Sequence, residues 1–283
     1  MRAHSSGMLA WIAALAVLFF LTSPLPSGPI HGPERGSLVI CGGGRLPEEI
    51  IAEFIGRAGG PGALIVVVPT AGGRETYDEE NSGLQMFRSA GAANLTFLHT
   101  YDPQIADTEA FARPLRQAGG VWFGGGRQWR LVDAYAGTGT ERAFLEVLER
   151  GGVIGGSSAG ASIQASYMVR GAPQGNTIMM AEGYEQGFGY LRNAAVDQHI
   201  DTRRRQADIL EVLAVYPELL GIGLYEGTAL VVERDMATVM GRGSAALYDI
   251  KTPRVGDEPY NWLLSAGQRF DLARRRPLTD RPD

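Results

Sequence analysis

A single cysteine, four histidines and a shortage of positive charge narrow the chemistry open to this 283-residue chain before any motif is read. The lone Cys41 excludes an internal disulfide, so stability must come from a hydrophobic core, which a chain of this length can build. Cys41 itself reads as a small buried hydrophobe at a strand end. Lys and Arg number 26 against 31 Asp and Glu, a net charge of −5, so no positive field gathers phosphate backbones and nucleic acid is not an expected partner. Dinucleotide chemistry is missing too. The glycine clusters Gly42-Gly43-Gly44 and Gly124-Gly125-Gly126 have Pro47 and Trp129 where G-x-G-x-x-G needs its third glycine. Tight turns account for both, and neither a cofactor nor a metal is expected.

No apolar run reaches the roughly 20 residues that span a bilayer. The longest, Met8 to Leu21, follows Arg2 and precedes Ser23-Pro24-Leu25-Pro26, the order of a secretory signal peptide. Prolines crowd the place of a small-x-small cleavage site, so an uncleaved N-terminal anchor is the alternative. Either puts the domain outside the cytoplasm. Residues 1–35 are therefore assigned to a signal peptide or anchor, 36–273 to one catalytic domain and 274–283 to a loose, charged tail.

From Gly36 onward, short runs rich in Val, Ile, Leu or Phe alternate with longer amphipathic ones. The residues 37–41, 63–68, 94–99, 120–123 and 152–154 read as buried strands, and 47–58, 84–90, 107–118 and 141–150 as crossover helices. In the first helix Ile50, Ile51, Phe54 and Ile55 form one apolar face behind Pro47. This order predicts a three-layer α/β fold, a mostly parallel sheet flanked by helices, with its site beyond the carboxyl ends of the strands. Closely spaced strands after residue 195, at 219–224, 228–233 and 245–250, predict a C-terminal antiparallel extension.

The stretch Gly152-Val153-Ile154-Gly155-Gly156-Ser157-Ser158-Ala159-Gly160 runs a buried strand into Gly156-x-Ser158-x-Gly160 and then into a helix. That is the nucleophile-elbow pattern, in which glycines leave room for neighbouring backbone and the serine sits at a helix N-terminus. A glycine-rich turn with a serine N-cap is the plainer alternative. The amide of Ala159 is placed as one oxyanion donor; the second glycine cluster reads either as a tight turn or, with Gly126, as the source of another donor, and the sequence leaves both open.

A serine nucleophile needs a base. His4 and His31 lie in or just after the leader, leaving His99 at a strand end and His199 among Asp197, Gln198, Asp201, Arg203, Arg204 and Arg205. That density of polar groups favours His199. For the orienting acid, Asp197 lies two residues from His199, whereas Glu226 interrupts two apolar strands and is delivered to the sheet edge. Glu226-Gly227 also reads as an exposed hairpin turn.

Together these segments resemble the cyanophycinases of the S51 serine peptidases, relatives of the α-aspartyl dipeptidases on a class I glutamine-amidotransferase-like, flavodoxin-like fold. The resemblance covers nearly all of the chain after Gly36. It rests on Gly42-Gly43-Gly44-Arg45-Leu46, Phe123-Gly124-Gly125-Gly126-Arg127-Gln128, Gly156-Ser157-Ser158-Ala159-Gly160-Ala161, Asp197-Gln198-His199 with its arginines, Gly221-Ile222-Gly223 through Glu226, and Leu264 to Leu272. It implies a Ser158–His199–Glu226 triad, with Gln128, Asp197, Gln198, Arg203 and Arg205 lining the substrate site. It also implies cleavage of cyanophycin, multi-L-arginyl-poly-L-aspartate, to β-Asp-Arg dipeptides. The expected partner is that polymer or another peptide, the expected assembly a homodimer, and the membrane enters only through an uncleaved anchor. Arg127, Tyr225 and Asp208 depart from the family pattern, which has an acid, an aspartate and an arginine there. They leave another β-aspartyl or acidic peptide as the alternative substrate and a non-catalytic binding domain as the alternative role. An esterase-type α/β-hydrolase would place its histidine after the acid, and no histidine follows His199.

Overall fold

The computed structural model describes residues 31–278; the apolar segment Met8 to Leu21, read as a signal or anchor, and residues 279–283 lie outside them. Among the described residues no helix is long and apolar enough to cross a membrane. The chain runs β1 (Ser37–Cys41), α1 (Glu48–Arg57), β2 (Leu64–Val68), α2 (Leu84–Ser89), β3 (Leu95–Phe97), α3 (Pro103–Ala106), α4 (Glu109–Ala112), β4 (Ala118–Phe123), α5 (Trp129–Tyr135), α6 (Gly139–Glu149), β5 (Val153–Ser157) and α7 (Ala159–Ser162). It continues through β6 (Ala165–Tyr167), β7 (Leu191–Gln198), α8 (Ile209–Val215), β8 (Leu220–Leu224), β9 (Thr228–Glu233), β10 (Met236–Gly241), β11 (Ser244–Tyr248), β12 (Trp262–Ser265), β13 (Arg269–Asp271) and β14 (Arg276–Leu278).

The parallel strands form the centre of a nine-stranded sheet ordered β14-β13-β10-β9-β1-β5-β4-β2-β3. Strand side chains point alternately to opposite faces, so β1 feeds two cores. Val39 and Cys41 pack with Ile50, Ile51, Phe54 and Ile55 of α1 on one face. Leu38 and Ile40 meet Phe144, Val147 and Leu148 of α6 on the other. Phe54, Phe87 and Trp122 meet edge-on or tilted, with ring centroids 5.1 to 5.4 Å apart, a geometry that adds to plain area burial. Cys41 is buried and free, and burial pushes its thiol pKa far up.

The predicted α/β fold with antiparallel C-terminal strands is what the chain adopts, with one addition. Strands β9, β10, β13 and β14 extend the main sheet by successive antiparallel pairings that begin with β9 on β1, whereas β8 and β11 leave it for a second, five-stranded sheet ordered β12-β11-β8-β7-β6. This smaller sheet lays Val196, Ile222 and Leu247 on the main core. Its far face packs Ala195 and Ala246 against Ile209, Val212 and Leu213 of α8.

Three local expectations need correction. The helix expected over 107–118 is broken, because Thr108 caps a new turn at Phe111 N and Pro114 forces a 3₁₀ turn over Arg113–Arg116. Helix α5 was not foreseen, although Leu131, Ala134 and Tyr135 give it a buried stripe. The stretch from 274, expected to be loose, pairs through β14 with β13, and Arg275 Nη1 lies 3.0 Å from Asp249 Oδ1.

The loop after β6 is stapled to the second sheet by a buried guanidinium. Arg170 donates Nε to Asp197 Oδ1 and Nη2 to Asp197 Oδ2, both at 2.8 Å, and Nη2 to Asp208 Oδ2 at 2.7 Å. The side chains of Arg170 and Asp197 are 1% and 0% exposed. Removing one member of such a pair strands the other charge in the interior. Arg170→Met is therefore expected to lower the unfolding free energy by about 3–5 kcal/mol in urea titrations, and adding Asp197→Asn should recover part of that loss.

Candidate active site

The elbow forms where β5 ends between its parallel neighbours β1 and β4. Ser158 adopts φ 58°, ψ −113°, a conformation costing a non-glycine residue on the order of 1–3 kcal/mol unless its surroundings enforce it. They do. Its amide donates to Cys41 O at 3.1 Å, and its carbonyl accepts from Ala161 and Ser162 of α7. Both flanking glycines are sterically required: a Cβ at Gly156 would stand 2.3 Å from Gly160 O, and one at Gly160 2.1 Å from Phe123 O.

His199 and Glu226 arrive from the second sheet. Strands β7 and β8 are parallel, with Gln198 opposite Leu224, so the residues just past their carboxyl ends converge on the elbow. His199 Nε2 lies 2.9 Å from Ser158 Oγ, and His199 Nδ1 lies 2.5 Å from Glu226 Oε1. Thr202 Oγ1 donates to Glu226 Oε1 at 3.0 Å, and the Glu226 amide donates to Asp201 Oδ1 at 3.1 Å. Burial lowers the His199 pKa below the ordinary histidine value, aided by Arg203 and Arg205 and opposed by Glu226. The bond to His199, with that from Thr202, lowers the Glu226 pKa. Both shifts favour a neutral imidazole beside a charged carboxylate.

The first glycine cluster has a reason beyond turning. A Cβ at Gly43 would stand 2.2 Å from the His199 ring, and one at Gly44 2.5 Å from Glu226 Oε2. The same turn binds the partners through its backbone, as His199 N donates to Gly42 O and Gly227 N to Gly43 O, both at 2.9 Å. In the second cluster Gly125 comes against the elbow serine, with its Cβ position 3.5 Å from Ser158 Cβ, whereas Gly126 backs onto Ala71 O. Among the described residues the amides of Ala159, Gly125 and Gly126 donate to no other protein group. Nothing in the sequence distinguished Gly125 from its neighbours.

The residues expected to line a substrate site divide. Arg203 is exposed, and its amide donates to His199 O at 3.0 Å. Arg205 is buried with Nη1 unpartnered, and Gln198 is buried with Oε1 unpartnered. Gln128 is buried and gives its amide Nε2 to Val169 O at 2.7 Å. Asp197 does not face the site: its carboxylate is enclosed and bound by Arg170, so the expectation that it contacts substrate is corrected. Sequence alone offered no sign of Arg170, 27 residues away, as the charge that claims it. Of the departures from the family pattern, Asp208 is accounted for by the same guanidinium, and Arg127 reaches Ala172 O. His99 is tied to Thr70 Oγ1 at 3.0 Å and held between Tyr77 and Tyr101, a packed strand-end residue.

Comparison with known proteins points the same way. The profile of the family described as "Peptidase family S51" matches residues 38–240. The chain is 31% identical over 255 residues to a protein named cyanophycinase from Trichormus variabilis, covering 82% of this chain and 83% of that one. To a cyanophycinase from Geminocystis herdmanii it is 30% identical over 221 residues, covering 76% and 81%. To peptidase E of an Escherichia coli strain it is 27% identical, covering 72% and 85%. In fold it is similar to a crystal structure of a peptidase from an acI-B1 Actinobacterium, with TM-score 0.64, 23% identity and coverage of 85% and 98%. The elbow geometry and these matches converge on one conclusion: the chain belongs to peptidase family S51 and is a serine-type peptidase.

Proposed function

We propose that Ser158, His199 and Glu226 act as nucleophile, general base and orienting acid of a cyanophycinase-type exopeptidase. The observation that carries this reading is the unbroken line of hydrogen bonds from Ser158 Oγ through both ring nitrogens of His199 to Glu226. As Ser158 Oγ attacks a peptide carbonyl carbon, its proton passes to His199 Nε2, and Glu226 stabilises the imidazolium. The carbonyl oxygen takes the negative charge in front of the Ala159 and Gly125 amides, with Gly126 adjoining. His199 then protonates the leaving amine, the C–N bond breaks, and water, deprotonated by the same imidazole, hydrolyses the acyl-enzyme.

For substrate, the relatives named cyanophycinase support the poly-aspartate backbone of cyanophycin, cleaved to β-Asp-Arg dipeptides. A second reading, an acidic peptide with free carboxylates, is favoured by one observation: both carboxylate oxygens of Asp197 are held by Arg170, and among the described residues neither Arg203 nor Arg205 forms a direct ion pair with a carboxylate. The order of charge, apolar run and prolines over residues 2–28 supports export or N-terminal anchoring of the domain.

A fluorophosphonate probe should label Ser158. Ser158→Ala should abolish labelling and reduce kcat by about 10⁴–10⁶-fold, and Glu226→Gln by about 10²–10⁴-fold with Ser158 intact. An unlabelled wild-type chain would remove the nucleophile assignment. Catalysis needs the neutral imidazole, and a lowered pKa keeps His199 neutral to lower pH. The acid limb of kcat/KM should therefore fall below the ordinary histidine value of about 6.5. Incubation with insoluble cyanophycin tests the substrate: β-Asp-Arg release is expected, and its absence from a probe-reactive protein would shift the assignment to an acidic peptide.

A further inference from the structure

A groove of about 850 Å³ opens beside the elbow, within the size range of ligand sites. Its inner end is formed by Ser157, the residue before the nucleophile, and by Gly125, which stands against Ser158 Cβ. From there it runs over Ile51 of α1, Met86 of α2 and Trp122 of β4. None of Gln128, Gln198, Arg203 or Arg205 borders it. A peptide with its carbonyl at Ser158 therefore has a path leading away from those residues.

The charges on this path are uneven. Arg45 and Arg242 border the groove, both are exposed, and Arg242 Nη2 donates to the Arg45 carbonyl at 3.1 Å, bringing the two residues together. Neither pairs with a carboxylate among the described residues. Among the described residues lining the groove the single acid is Glu48, in the first turn of α1, where the helix dipole already favours its charge. Around the elbow the other acids are engaged: Asp197 and Asp208 by Arg170, Asp201 by the Glu226 amide, and Glu226 by His199. A ligand bringing carboxylates meets two guanidinium groups without a carboxylate partner, whereas one bringing guanidinium groups meets mainly its own sign of charge.

We infer that this groove is a substrate subsite that selects free carboxylates, with Arg45 and Arg242 pairing the acidic side chains of a peptide lying across the elbow. The inference rests on Ser158 as the nucleophile and deepens the acidic-peptide reading of the substrate: on one side of the cleaved bond it calls for unsubstituted aspartyl or glutamyl residues, which cyanophycin, with arginine on its aspartates, does not offer.

Binding to the Ser158→Ala protein reads the subsite without turnover. Calorimetry would compare tetra-aspartate with versions carrying asparagine at the first two or the last two positions. Asparagine at one end should weaken binding about 5–10-fold, the scale of two partly exposed ion pairs, and about 0.5 M salt should erase the difference. Adding Arg45→Ser and Arg242→Ser should make asparagine and aspartate equivalent at that end, while Arg45→Lys with Arg242→Lys should keep the preference. Equal affinities for all three peptides, or a preference that survives loss of both arginines, would overturn the proposal. Probe labelling of Ser158 in the active chain separates the two readings. Labelling without an aspartate preference would sink the subsite alone, and an arginine-dependent preference without labelling would sink the chemistry and leave the subsite standing.

Discussion

The close approach of the His199 ring to the backbone of Gly43 is the contact on which the arrangement depends. Two sheets meet there, the large one through the turn after β1 and the small one through the end of β7. A methyl group at position 43 would overlap the imidazole at 2.2 Å. The same turn accepts the His199 amide at Gly42 O and the Gly227 amide at Gly43 O, and Cys41 O holds the Ser158 amide. Ser158, His199 and Glu226 are thus positioned by one short backbone segment with no side chain at the critical place. This coupling explains how Ser158 and His199, both at positive φ, retain those conformations.

Charge is distributed around this hub by a separate device. Arg170, with almost no exposed surface, draws Asp197 and Asp208 away from the cleft. The acids that remain near Ser158 serve His199, directly in Glu226 and through the backbone of Glu226 in Asp201. The groove beside Ser158 is thus lined by Arg45 and Arg242 against Glu48, in a chain whose net charge is −5. A buried ion pair gives little net stability relative to a well-packed apolar alternative. Here its consequence lies in which charges the cleft still has to offer.

The parallel strands were legible because strands buried on both faces must be apolar throughout, and Leu64–Val68 contains nothing else. Helix α1 was legible from one apolar face behind a proline. The broken helix over 107–118 was not, since its apolar spacing persists through a capping threonine and a proline that together restart the chain. The departure of β8 and β11 into a second sheet was equally hidden. Their sequences are as apolar as those of β9 and β10, and pairing partners are chosen by long-range geometry.

By itself the sequence determined the elbow and marked Ser158 as the candidate nucleophile, because Gly156-x-Ser158-x-Gly160 between a strand and a helix is a local steric demand carried by adjacent residues. It also narrowed the base to two histidines. The tertiary structure decided which carboxylate meets the imidazole, which glycine of the second cluster stands against the serine, and that Asp197 belongs to Arg170. Those outcomes rest on contacts between residues tens of positions apart, and Coulomb attraction and steric exclusion act on distance in space, which residue spacing along the chain does not encode.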